Sequence, residues 1–294
     1  MSITDRQSAP GVGADRRPAR AADRWYAWVG IGGAIYFVGV AASLFCLLVP
    51  LVLVMWLSVF ESEIPAIPPS GYTFGWYGRA LANKQFTGGA SLSFEVALLA
   101  TLVGLGISIP ASLALHRRRV PFSGAIVQFL MSPMILPAIV IGAGLYVALI
   151  RLEIATGLPL VGSTIGLGAG HVLLTIPWCL RLLLANIGGV NRTIEEAAAS
   201  LGAKPFAVLG KVTLPLMWPG VVAAALFSFV VSFGNLEISL FLVAPGQITL
   251  PIAILQYLEW RIDPSVAAIS VLQILLITAG LLLTDRFVPL TKVV

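Results

Sequence analysis

Charge is what this sequence has least of. Only 11% of its 294 residues are Asp, Glu, Lys or Arg, against about 25% in an ordinary soluble domain, while 58% are apolar. Such a chain cannot coat a globular surface, which excludes a soluble enzyme, and it is too apolar for disorder. What remains is an integral membrane protein. Cysteine and histidine are nearly as scarce. Cys46 and Cys179 lie in apolar runs and read as buried thiols, neither a disulfide nor a metal pair. His116 and His171 stand apart from any second ligand at metal spacing, so no metal or cofactor is expected in this chain. A phosphate loop is missing too. From Gly202 to Gly210-Lys211 the glycines stand too far apart, and Val212 occupies the place of the magnesium-binding Ser or Thr. There is no Gly-x-Ser-x-Gly and no HExxH to mark a hydrolase. No catalytic residue is assigned, and the energy for any work comes from a partner or an ion gradient.

The apolar residues that are present fall into runs. A spanning helix needs about 20 of them, and six segments qualify, at roughly 29–59, 94–115, 125–150, 165–185, 219–243 and 265–284. The expected fold class is therefore an all-α integral membrane protein with six transmembrane helices. The first run follows a polar tail (1–27) too long for a secretory signal, and reads as an uncleaved anchor. The first helix and an external loop occupy 28–91, the main transmembrane domain 92–284, and a second tail 285–294. Fourteen of the 18 basic residues fall on one side: Arg6, Arg16, Arg17, Arg20 and Arg24, Arg117 to Arg119, Arg181, Arg192, Lys204, Lys211, Arg286 and Lys292. Only Arg79, Lys84, Arg151 and Arg261 fall on the other. The positive-inside rule then puts both termini in the cytoplasm. The net charge of +5 is topological, and with no basic stripe interleaved with aromatics a nucleic-acid partner is not expected.

Within the spans, Pro50, Pro110, Pro133, Pro137 and Pro177 each remove a backbone donor and favour a kink. Ala100, Gly104, Ser108 and Ser112 recur every fourth residue, as do Gly162, Gly166 and Gly170, spacings that let helices approach closely. Ionisable groups at membrane depth are functional candidates by default. Glu95 stands near the outer end of the second span and suits an interfacial charge. Glu237 stands in the second half of the fifth, where Ser232, Asn235 and Ser239 share a helical face about 100° away; this set suits a polar lining of a translocation path. His171 reads as a hydrogen-bonded interior residue, and Arg117-Arg118-Arg119 as a headgroup anchor.

The longest cytoplasmic connection, 186–218, is patterned as helix, turn, helix. Thr193 to Glu196 fits a capping box. Ile194, Ala197, Ala198 and Leu201 share one face, and Gly202 stands where a helix end takes a left-handed residue. Pro205 suits the first turn of a second helix, Phe206 to Val212, which Pro215 and Pro219 are expected to end. Glu196-Ala197-Ala198, three residues, Gly202, nine residues, Val212, one residue, Leu214-Pro215 resembles the EAA loop of type I ABC importer permeases, although that family usually has isoleucine at Val212. Weaker stretches from Trp76-Tyr77 onward look like the spermidine/putrescine type: Met131-Ser132-Pro133, Leu201-Gly202-Ala203, Ile238-Ser239 and Asp263-Pro264. Where polyamine permeases tend to carry adjacent acidic residues, this chain has Gly234-Asn235, with Glu237 two positions on.

The resemblance implies a permease subunit of a binding-protein-dependent importer in a bacterial inner membrane. It implies a pair of ATPase subunits that bind ATP and magnesium, a second permease subunit encoded as a different chain, and an external solute-binding protein. Glu196, Ala197, Ala198, Leu201 and Gly202 would form the ATPase-coupling surface, with Leu214 and Pro215 positioning the return to the membrane. The implied substrate is a small polar solute, polyamine-like or a related amine or amino-acid derivative. A secondary transporter driven by an ion gradient is the alternative; it predicts an internal repeat or discontinuous helices with a central ion site, no convincing repeat relates the two three-span halves, and it leaves the EAA-like loop unexplained.

Overall fold

The computed structural model describes residues 31–117, 120–244 and 246–287. The expected tail 1–27, Arg118, Arg119 and 288–294 lie outside them, and with them much of the basic set behind the expected topology. Among the described residues every element is helical except one isolated antiparallel bridge, Phe60 to Tyr72. That is what a bilayer demands of a single chain, because a helix satisfies its own backbone polar groups.

The chain divides between Leu53 and Val54 into two units. The first carries most of α1 (Ile31–Leu57), which continues through Pro50. Its Phe37, Phe45 and Leu47 are exposed, a surface that only lipid or another apolar partner accommodates. In the second unit, α2 (Gly75–Ala82) precedes the long α3 (Lys84–His116), then α4 (Ser123–Met131) and a 3₁₀ turn over Ser132–Met134. Next come α5 (Ala138–Thr156), α6 (Thr164–Gly188), α7 (Arg192–Ser200) and α8 (Pro205–Val208). A π-helical turn (Leu209–Thr213) joins α8 to α9 (Leu214–Phe233), and α10 (Glu237–Leu242), α11 (Leu250–Trp260) and α12 (Ser265–Phe287) complete the chain. Among the described residues six helices are long and apolar enough to cross a membrane, at Ile35–Leu57, Lys84–His116, Ala138–Thr156, Thr164–Gly188, Pro205–Phe233 and Ser265–Thr284.

Three spans differ from expectation. The second begins at Lys84, not near 94, so Glu95 stands within the helix rather than at its start. The third begins at Ala138, not near 125, because Pro133 and Pro137 cut off α4 as a separate helix. The fifth is shifted toward the N-terminus and ends early. Its helix runs from Pro205 to Phe233 without stopping at Pro215 or Pro219. The Pro215 ring would crowd the carbonyl four residues back, and the chain meets this with the π turn, in which the Leu214 N–H bonds back to the Leu209 carbonyl, while Pro219 stands inside α9. Pro215 then falls in the first turn of α9, where a missing donor costs little. At the far end the helix breaks over Gly234 to Leu236. The Asn235 Oδ1 accepts the Ile238 N–H at 2.9 Å and starts α10.

The core is built by α3, α6 and α9. The small-residue ladder of α3 faces α6: Thr175 donates its hydroxyl to the Ala100 carbonyl at 3.2 Å, and Ser108 approaches the Ile176 carbonyl at 3.5 Å. A Cβ on Gly104 would stand 2.7 Å from the Thr175 hydroxyl, so this close approach needs glycine. Cys179 bonds Ser228 at 2.9 Å and ties α6 to α9. One apolar cluster (Leu183, Ile187, Met217, Ala224) closes the end nearest α7. Another (Trp76, Phe86, Phe233, Leu250) closes the opposite end.

Candidate functional site

Residues 191–213 fold as the expected hairpin, with a different start. The cap of α7 is Asn191, whose side chain accepts the Thr193 N–H at 3.0 Å, not the Thr193 capping box, so α7 begins two residues earlier than that box requires. Its end is a Schellman motif. Gly202 takes φ +86°, its N–H reaches the Ala199 carbonyl at 2.9 Å, and the Ala203 N–H reaches Ala198 at 3.1 Å. The turn displays apolar side chains: Leu201 is 89% exposed, Phe206 87% and Ile194 46%. Glu196 and Ala197 are exposed beside them and Ala198 is half-buried. Leu214 is half-buried and Pro215 exposed, and with Gly210 and Trp218 they line an open cavity of about 400 Å³.

Part of α7 borders a cavity. Arg192, Glu195, Glu196 and Ala199, with Arg117, Ala203, Pro205 and Val208, line about 450 Å³. There the Glu195 Oε1 accepts from the Arg117 guanidinium at 3.0 Å and from the Thr213 hydroxyl at 2.6 Å. Partial burial pushes the Glu195 carboxyl up, but the bonds from Thr213 and Arg117 and the charges of Arg117 and Arg192 outweigh it and hold it below the usual carboxylate range. Sequence reasoning missed the roles of Glu195, Thr213, Arg117 and Phe206. Phe206 alone had a legible signal, a large apolar side chain just after the proline that opens the second hairpin helix.

At the broken end of the fifth span the helix is interrupted between Ser232 and Ser239, yet both turn toward α6. His171 holds the two together. Its Nδ1 lies 2.7 Å from the Ser232 hydroxyl and its Nε2 lies 3.0 Å from that of Ser239. All three are buried. Asn235 is half-buried and Glu237 is exposed at the start of α10; Glu95 on α3 is exposed as well.

A family model described as "Binding-protein-dependent transport system inner membrane component" matches residues 103–293. The chain is 26% identical over 204 residues to the putrescine transport system permease protein PotI of Escherichia coli (strain K12), covering 69% of this chain and 73% of that protein. It is 28% identical over 243 residues to the spermidine/putrescine transport system permease protein PotC of Haemophilus influenzae, covering 81% and 90%. Among solved structures, its fold matches a chain of a bacterial ABC transporter that imports the acidic polysaccharide alginate, with a TM-score of 0.66 at 18% identity, covering 92% of this chain and 99% of that one.

Proposed function

The chain belongs to the family of binding-protein-dependent transport system inner membrane components, and on that premise we propose that it is one of two subunits forming the pathway of an ATP-driven importer. It is a multi-pass protein of a bacterial inner membrane and a transport component, not an enzyme. In the proposed assembly both termini and the hairpin lie in the cytoplasm, an ATPase pair binds the hairpins, a second, different permease chain completes the pathway, and an external solute-binding protein delivers the substrate. ATP binding draws the ATPases and their hairpins together and opens the cavity outward; hydrolysis resets it. The domain division expected from the sequence (1–27, 28–91, 92–284 and 285–294) stays part of this reading.

The observation that carries the proposal is the hairpin. It exposes Leu201 and Phe206 almost fully, and it continues without a stop into the fifth span through the π turn. An apolar tip on a rigid shaft is what a partner needs to grip and push. The Glu196-Ala197-Ala198 stretch, Leu201 and Gly202 form the grip, and Leu214 and Pro215 stand at the root of the shaft. Replacing Leu201 and Phe206 together by Asp should abolish co-purification of the ATPase while leaving thermal unfolding of the membrane subunits unchanged, since neither side chain packs in this chain's core. Retention of the ATPase at wild-type level would sink the reading.

The proposed substrate is polyamine-like or a related amine or amino-acid derivative, supported by the named relatives. Glu237, with Asn235 beside it, is the group in this chain placed to meet it, because an exposed carboxylate on a membrane helix needs water or another subunit, not lipid. Ser232 and Ser239 support that segment through His171. Glu237→Gln should cut uptake of putrescine, used as the probe, by about tenfold with assembly intact; wild-type uptake would return Glu237 to a structural role.

A further inference from the structure

In the assembly proposed above, a pull on the hairpin reaches α9 through the chain itself, but it reaches α3 only through side chains. We infer that Glu195 is a positioning residue that latches α7 to the end of α3 and to the π turn, so that hairpin, second span and fifth span move as one body. This inference rests on the importer reading for its role, but not for its geometry.

A single oxygen makes the latch. The Glu195 Oε1 takes the Arg117 guanidinium at 3.0 Å and the Thr213 hydroxyl at 2.6 Å. Arg117 follows the last residue of α3, and Thr213 closes the π turn, so one carboxylate joins three elements. Thr213 is fully buried, and among the described residues its only other contact of this kind is the Val208 carbonyl at 3.5 Å. Its one hydroxyl proton is therefore committed to Glu195. The Arg117 and Glu195 side chains are 24% and 19% exposed, screened less than a surface pair, so breaking the pair leaves a half-buried charge unmatched. The exposed apolar tips Ile194, Leu201 and Phe206 do not line the cavity that holds the latch, although Glu196 borders it. The apolar grip and the latch thus use different residues, and the two can be broken separately.

The test uses the purified chain for amide exchange and the full complex, in vesicles of phosphatidylethanolamine and phosphatidylglycerol, for transport per ATP hydrolysed. Glu195→Gln should leave the ATPase bound, lower transport per ATP by about fivefold, and raise exchange together in 192–200, 209–213 and the last turn of α3. Thr213→Val should loosen the π turn and spare the end of α3. The exchanged pair Arg117→Glu with Glu195→Arg should restore protection at α3 but not at the π turn, because arginine cannot accept the Thr213 proton. Exchange that rises in 192–200 alone, or unchanged transport per ATP, would overturn the latch. If no ATPase is retained by the wild-type chain, the importer reading fails, and the exchange pattern still decides whether the latch exists.

Discussion

Gly202→Val should reduce stimulation of the ATPase by the membrane subunits by about tenfold or more while leaving the transmembrane core as stable as before. Gly202 stands at φ +86°, and a Cβ there would meet nothing within 4 Å. Crowding is therefore not the cause of the effect. The cost is the backbone itself, about 1–2 kcal/mol for an ordinary L-residue in the left-handed region and more for a β-branched one. About 1.4 kcal/mol is tenfold in an equilibrium. A hairpin this exposed relieves such strain by unwinding its last turn, which breaks the bonds to Ala198 and Ala199 and swings Leu201 and Phe206 out of position. Gly202→Asn should keep most of the stimulation, since asparagine enters the left-handed region at little cost. Full stimulation by the valine variant would show that the Schellman turn does not set the grip.

Most of this fold was legible because membrane helices announce themselves by length and apolarity, and each of the six expected spans has its helix, although the bounds of several are displaced. The displaced starts of the third and fifth trace to proline, and the early end of the fifth to the break at Gly234-Asn235. A proline after an apolar run ends a helix at 133 and 137, yet at 215 the chain absorbs it just after a π turn and at 219 inside α9, and nothing in the residue types separates these cases. The difference lies in tertiary support. Thr213 in the π turn is held by Glu195 from another element, whereas Pro133 and Pro137 follow an α4 that has no buried residue. The hairpin was readable down to Gly202, because a left-handed turn has a chemical signature. The Glu195 latch was not, because Arg117 and Thr213 are 78 and 18 residues away from it and no local pattern couples them. The polar set of the fifth span was found as residues but not as geometry: helical spacing assumed a continuous helix across Gly234-Asn235, and the break reassigns Ser232 and Ser239 to His171.

That reassignment leads to the second large effect, on stability. Ser239 also bonds the Asn235 carbonyl at 2.9 Å, and a neutral imidazole has one donor and one acceptor nitrogen to set against the hydroxyls of Ser232 and Ser239. One imidazole thus splices the two flanks of the break onto α6, as donor to one side and acceptor from the other. No aliphatic side chain can do this. His171→Leu should lower the thermal unfolding midpoint of the detergent-solubilised chain by about 5 °C. Two intramembrane hydrogen bonds are worth about 1–3 kcal/mol together, and a chain of this size shifts by about 2–4 °C per kcal/mol. His171→Ala should cost more, because it adds a cavity to the lost bonds. Ser232 can turn its hydroxyl back to a carbonyl one turn earlier, so Ser232→Ala should be milder than either, and combining it with His171→Leu should cost less than the sum of the two. The same splice holds α10 in place and with it Glu237, so the leucine variant should also expose the backbone amides of 236–240 to exchange. A midpoint and an exchange pattern equal to wild type would mean that the break is held by packing alone, through Ile238 and Leu242 against α5 and α6.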